Sequence, residues 1–377
     1  MEYDFGKLVF GENAVSNLMK VLTTTHTAGA GEMVKDYEKK WAELFGYKNN
    51  VAVSSGTAAD TAACIALHDF GAQRGDEIIA PACAFVAVGN SIRMAGFKPV
   101  FVDIERETLN INPRLIEERV TPRTRAIMAV HTMGKPCEMD TIASIAQKHG
   151  LFVIEDCCEA HGAKYNEQLI GSWGNMATFS SYVSHLISSM EGGMISTSDE
   201  RIAGILRSIR NHGRPDGETY FNHIRFGGNF KMNELEAAVG LADIEDFWST
   251  FNTRKDNLNY LLAKTEDLKE FAFFNSEDKT KETVCPHAFS VTLKDPKHDY
   301  PALYKHLQDN RINCKRNFGS MPTQHKAFEF LGHKIGEFPE AEYVGDNGLH
   351  FGVHKYLTRA HLDFALEVLH EYFAKFY

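Results

Sequence analysis

The 377-residue chain predicts an α/β fold, a mostly parallel sheet covered by helices on both faces, followed by a smaller C-terminal α/β domain. Two observations predict it. Short, continuously apolar segments recur with helical segments between them, which is how strands buried on both faces read. After about residue 250 the texture changes to a polar helix rich in Asn, Lys and Asp, one strand-like run and a closing helix. The expected division is 1–250 for the large domain, N-terminal segment included, and 251–377 for the small one.

Taken in order, GEMVKDYEKKWAELFG (31–46) places Met33, Val34, Tyr37, Trp41, Leu44 and Phe45 on one helical face. VAVS (51–54) leads into SGTAADTAACIALHDFGA, and EIIAPA (77–82) into FVAVGNSIRMAG. PVFVDI (99–104), AIMAVHT (126–132) and FVIED (152–156) continue the strands, with DTIASIAQKHG as a helix before the last. The polar helix covers 252–268, HAFSVTL reads as a strand, and LDFALEVLHEYFAKF closes the chain.

Composition excludes several functions. With 44% hydrophobic residues there is enough apolar side chain for a large core. The net charge of -10 comes with no basic stretch suited to nucleic acid or anionic lipid, so neither partner is expected. The cysteines (Cys64, Cys83, Cys137, Cys157, Cys158, Cys285 and Cys314) are odd in number and lack CxxC spacing, so reduced thiols and no metal are expected. The start, MEYDFGKLVFGENAV, is charged, and no apolar run approaches the roughly 20 residues that span a bilayer; a cytoplasmic protein is expected.

Ligands in open parallel sheets sit at the C-terminal strand edges. SGTAA (55–59) follows a strand and opens a helix, where a glycine and free N–H groups suit a phosphate dianion. Alone, a tight turn explains these small residues better. FVIED ends on Asp156, and a buried carboxylate there needs a cationic partner. A protonated pyridine nitrogen would serve and would act as an electron sink, while a cap or salt bridge explains it as well. ATFSSYVSHLISSMEGGM (177–194) offers Ser180, Ser181, His185 and a Glu-Gly-Gly turn.

The order of SGTAA, PACAFVAVGNSIRMAGFKPVFVDI, VIEDCCEAHGA, TFSSYVSHLISSMEGG and GGNFKMNELEAAVG changes the reading. Together they closely resemble the DegT/DnrJ/EryC1/StrS family, pyridoxal-phosphate (PLP) enzymes acting on nucleotide-linked keto sugars, over nearly the whole chain. The resemblance implies the fold of aspartate aminotransferase (fold type I), with a seven-stranded central sheet, and PLP or its aminated form PMP as cofactor. It implies that Gly56, Thr57 and Ala58, helped by Ser180, hold the cofactor phosphate, that Phe85 stacks on the pyridine ring, and that Asp156 pairs with the ring nitrogen. Glu159 takes a position near the phenolic oxygen where the family's aminotransferases commonly have Gln. Asn229 would reach the cofactor phosphate of the neighbouring subunit, which implies a homodimer with shared active sites.

One position departs. The family's aminotransferases carry their Schiff-base lysine where this chain has His185, and no lysine lies between Lys164 and Lys231. An imidazole forms no stable Schiff base, but its ordinary pKa of about 6.5 suits general-base work. The family has a branch with this substitution, the 3-dehydratases of 4-keto-6-deoxy sugars. For this chain the resemblance therefore implies a lyase in which L-glutamate aminates PLP to PMP, PMP condenses with the sugar's C4 ketone, and His185 moves the proton. An aminotransferase, or a non-catalytic partner protein that keeps the fold, stays open. A lysine engineered to histidine fits less well, since YVSHLISS also differs around the position. An iron–sulfur cluster lacks a closely spaced ligand set, with only Cys285 and Cys314 after His185. For the substrate, Arg210, Arg214 or Arg225 could face the nucleotide diphosphate and His325 the sugar; solvated loops explain them equally, and the segment 317–328 departs from the pattern expected for a GDP-mannose derivative.

Overall fold

The computed structural model describes residues 1–7, 9–24, 31–215 and 221–376. Its large domain is built on strands β1 (Asn49–Val53), β2 (Glu77–Pro81), β3 (Lys98–Val102), β4 (Thr124–Val130), β5 (Phe152–Asp156), β6 (Met176–Ser180) and β7 (Gly193–Thr197). They form one seven-stranded sheet in the order β1-β7-β6-β5-β4-β2-β3. Only β7 runs against its neighbours β1 and β6; the other pairings are parallel.

Both faces are covered, as the unbroken apolar strands require. Ile78, Ala80, Ala126 and Met128 point to one apolar layer, and Ile79, Ile127 and Ala129 to the other. Helices α3 (Gly56–Ala66), α4 (Ala87–Met94) and α6 (Glu200–Arg210) contribute to the first layer. Helices α2 (Glu32–Phe45), α5 (Met139–His149) and α7 (Glu234–Glu245) contribute to the second, while α1 (Glu12–Thr24) packs on α7. The helical face expected for 31–46 is confirmed: Met33, Val34, Tyr37 and Trp41 are buried.

The small domain holds an antiparallel sheet of β8 (Ala272–Phe274), β9 (Ala288–Leu293), β10 (Cys314–Arg316) and β11 (Gly348–Gly352), ordered β8-β9-β11-β10. Sequence pattern revealed only β9. The strands β8 and β10 are three residues long, too short for periodicity, and β11 (GLHFG) mixes glycine with histidine. The polar helix is α8 (Phe247–Lys264), and it begins earlier than expected. Its Phe247 and Phe251 pack in the large domain, and its Leu258 and Leu261 in the small one. A continuous helix thus joins the two cores.

The first residues cross over to the C-terminal part. Tyr3 is fully buried in the small-domain core, donates its hydroxyl to the Gly352 carbonyl at 2.7 Å and pairs along its backbone with Arg311 and Asn313. Gly352 permits that approach, since a Cβ there would lie 1.9 Å from the Phe5 carbonyl oxygen. No described helix is long and apolar enough to cross a membrane.

Candidate active site

The C-terminal ends of β1, β4, β5 and β6 open into a cavity of about 420 Å³, closed on its far side by the small-domain sheet and Phe5. Gly56, Thr57, Phe85, Asp156, Glu159, Ser180 and His185 all line it. Residues separated by up to 129 positions in sequence are brought together because parallel strands deliver their C-terminal ends to one edge.

At the phosphate-type corner, Ser55 caps α3 by accepting from the Ala58 N–H at 3.0 Å. Ala58 is buried and its N–H is thereby committed, while Gly56 and Thr57 face the cavity at the helix start, where first-turn N–H groups have no helical partner. Gly56 is required by packing: a Cβ would meet the Ser180 Cβ at 2.7 Å. Phe85 is 58% exposed beside the cavity, a large aromatic face left uncovered, with Phe318 5.9 Å away.

Asp156 ends β5 nearly buried and accepts from the Cys158 N–H at 3.0 Å. Beside it lies Asp60 of α3, 1% exposed, whose carboxylate accepts from the Thr178 hydroxyl at 2.6 Å. Their facing oxygens lie within 4.8 Å of each other. Burial raises both carboxyl pKa values, and the neighbouring charge of Asp156 raises that of Asp60 further. Among the described residues neither carboxylate forms an ion pair with Lys, Arg or His. A cationic group placed here would relieve both, so the pocket fits a protonated pyridine nitrogen.

His185 sits in the turn after β6, with its N–H donated to the Tyr182 carbonyl at 3.0 Å. Its Nδ1 is buried without a partner among the described residues, and its ring packs against His287, centroids 5.2 Å apart, and His161, 6.1 Å apart. Burial, then the positive charges of Arg254 and Lys315, push its pKa down to about 3, so the imidazole is neutral. Arg254 of α8 is buried and ties this loop to the next: it donates to the carbonyls of Ser184, His185, Pro286 and His287. Glu159 accepts from the Met133 N–H at 2.6 Å and stands 3.4 Å from His287 Nε2. Burial, with the nearby charge of Asp156 adding to it, pushes its carboxyl up to about 7.

Other sequence candidates lie elsewhere. Asn229 is exposed, accepts from Lys231 at 2.6 Å and does not line this cavity. Arg210 is committed to Glu38 at 2.6 Å and the Ala52 carbonyl, and Arg225 to Asp69 at 3.1 Å, so neither is free for a diphosphate. Arg214 bonds Asn211, and residues 216–220 of the same stretch lie outside the described residues. His325 is exposed and does not line the cavity. Sequence reasoning missed Phe5, Asp60, His131, His287, Lys315 and His350, all cavity-lining. Of these, His131 directly follows β4, so the strand-end rule could have found it.

The sequence profile of the DegT/DnrJ/EryC1/StrS aminotransferase family matches residues 10–369. The chain is 33% identical over 349 residues to the GDP-4-keto-6-deoxy-D-mannose 3-dehydratase of Yersinia pseudotuberculosis, covering 86% of this chain and 87% of the relative. It is 39% identical over 228 residues to the GDP-perosamine synthase of Caulobacter vibrioides, an alignment spanning 60% of each chain. Its fold superposes with a TM-score of 0.89 on a crystallised GDP-4-keto-6-deoxymannose-3-dehydratase, a histidine-to-asparagine variant with bound GDP-perosamine, at 30% identity over 98% of this chain and 100% of that one. The seven-stranded α/β architecture is thus the aminotransferase fold, and the chain belongs to the DegT/DnrJ/EryC1/StrS aminotransferase family.

Proposed function

We propose that this chain is a PLP- and PMP-dependent 3-dehydratase of a nucleotide-linked 4-keto-6-deoxy sugar, with L-glutamate as amino donor and a 3-deoxy-4-keto sugar as product. The cofactor, when bound, supplies an amine that condenses with the sugar ketone and a ring that accepts electrons. Asp156 holds the proton on the ring nitrogen, Phe85 stacks on the ring, and Gly56, Thr57 and Ser180 receive the phosphate, while the Ala58 N–H stays with Ser55. His185 takes the proton from C4′.

The observation that carries this reading is an imidazole, not an amine, in the turn after β6, lining the same cavity as Asp156. A histidine there binds no cofactor covalently, yet it accepts a proton. The named dehydratase relatives support the same substrate class. A homodimer belongs to the proposal: Asn229 is exposed away from its own cavity, on a stretch with exposed Phe221, Ile224 and Phe226. Amino transfer to the sugar is the second reading, favoured by the perosamine synthase relatives and by one lysine in the cavity wall, Lys315.

Mass spectrometry of products from a panel of nucleotide-linked 4-keto-6-deoxy sugars, with enzyme, PLP and L-glutamate, tests it. A product lighter by one oxygen, with ammonia released, is expected. A product carrying an amine in place of the ketone would make the chain an aminotransferase.

A further inference from the structure

We propose that Glu159 and His287 form a second acid–base pair, which protonates the oxygen leaving C3 of the sugar and leaves His185 to act as the base alone. The inference rests on the dehydratase reading above. Expelling a hydroxyl needs an acid as well as a base, and one imidazole would have to serve at two places. The cavity holds a second set. His287 lines it, its side chain is 5% exposed, its Nε2 lies 3.4 Å from Glu159 Oε1, and its Nδ1 has no partner among the described residues.

The arrangement is held rigidly. Arg254 donates at 2.6 Å to the His287 carbonyl and also to the carbonyls of Ser184 and His185, so both histidine loops hang on one guanidinium. The Met133 N–H holds the other oxygen of Glu159. Asp156 and Lys315 are the titratable groups that act on Glu159; His185, Arg254, His350 and His161 are those that act on His287. Their sum inverts the ordinary order, since the carboxyl titrates near 7 while both imidazoles are held neutral below it. Two groups pushed apart in this sense separate the proton donor from the acceptor.

With the cofactor bound, His185 would take the C4′ proton, the cofactor would accept that bond's electron pair, and the C3–O bond would break with its pair leaving on oxygen. The oxygen takes the proton of His287 Nδ1 as Nε2 takes that of Glu159. Water leaves, Glu159 remains a carboxylate, and the proton on His185 restores it through solvent.

Glu159→Gln and His287→Gln test the pair, because amination of PLP by L-glutamate requires proton transfer but no leaving hydroxyl. In both variants the ratio of dehydration to single-turnover amination, followed by absorbance, is expected to fall by about 30-fold or more. In the apo protein labelled with ¹⁵N-histidine, the His287 ring signals are expected to shift with a midpoint near pH 7, a step absent from Glu159→Gln. Dehydration retained within threefold in either variant, or equal losses in both half-reactions, would overturn the pair. A wild type that aminates the cofactor but returns an amino sugar would overturn the dehydratase reading and the pair with it, whatever the variants do.

Discussion

Arg254 Nη2 donates to the His287 carbonyl at 2.6 Å, and the same guanidinium reaches the His185 carbonyl at 3.3 Å, so one buried cation spans the two histidine-bearing loops. Among the described residues it forms no ion pair with a carboxylate within 4 Å; its hydrogen bonds go to backbone carbonyls, and burial lowers its pKa to about 10. Arg254→Met should leave those carbonyls unpaired and destabilise the protein by about 2–4 kcal/mol, read by urea unfolding. Because the lost positive charge had also depressed His185, any pH limb set by that imidazole should move to higher pH.

The Asp60–Asp156 pair makes the apo protein sensitive to alkali. Both folded-state carboxyl values are raised, so their contribution is present below the ordinary carboxyl value, about 4, and is lost as pH rises through the folded values. Each pH unit in that window costs about 1.4 kcal/mol for one such group. Asp60→Asn keeps the acceptor for Thr178 and removes one charge. Its apo melting temperature should therefore fall less between pH 5 and 8 than that of the wild type. Parallel profiles would show that Asp60 does not titrate in this window.

His185→Lys should restore a covalent link to PLP, seen as a borohydride-stable mass increase on the intact chain, and should divert turnover from dehydration to amino transfer. His185→Asn should still bind PLP yet lose the proton transfer, by about 100-fold or more in dehydration. A Lys variant that dehydrates like the parent would remove His185 from the mechanism.

Gly56→Ala tests the phosphate corner by packing alone. The new methyl would sit 2.7 Å from the Ser180 Cβ, inside contact distance, and must push β6 and α3 apart. PLP affinity, measured by fluorescence quenching, should drop at least about tenfold, or about 1.4 kcal/mol. Unchanged affinity would mean that the helix start does not hold the phosphate.

Much of this was legible in the chain itself. Continuous apolar runs such as FVIED predict buried parallel strands, and their C-terminal ends mark Asp156 and the SGTAA turn as site candidates. The absence of lysine around His185 is likewise a fact of sequence, and it decides which proton chemistry is available there. These features are local: a strand end, a helix start and a side-chain type each carry their meaning within a few residues.

What surrounds His185 was decided by tertiary structure. Asp60 reads as one polar residue in an alanine-rich helix until β5 brings Asp156 beside it. His287 and Lys315 carry no pattern at all, because their meaning depends on where α8 and the small-domain sheet place them across the cavity. Arg210 shows the reverse, an exposed-looking arginine in the sequence that the fold buries against Glu38. The physical reason is the same throughout: desolvation and neighbouring charge depend on three-dimensional surroundings, so a residue's type shows what it can do, while its packing decides whether it holds a proton, accepts one or serves only the fold.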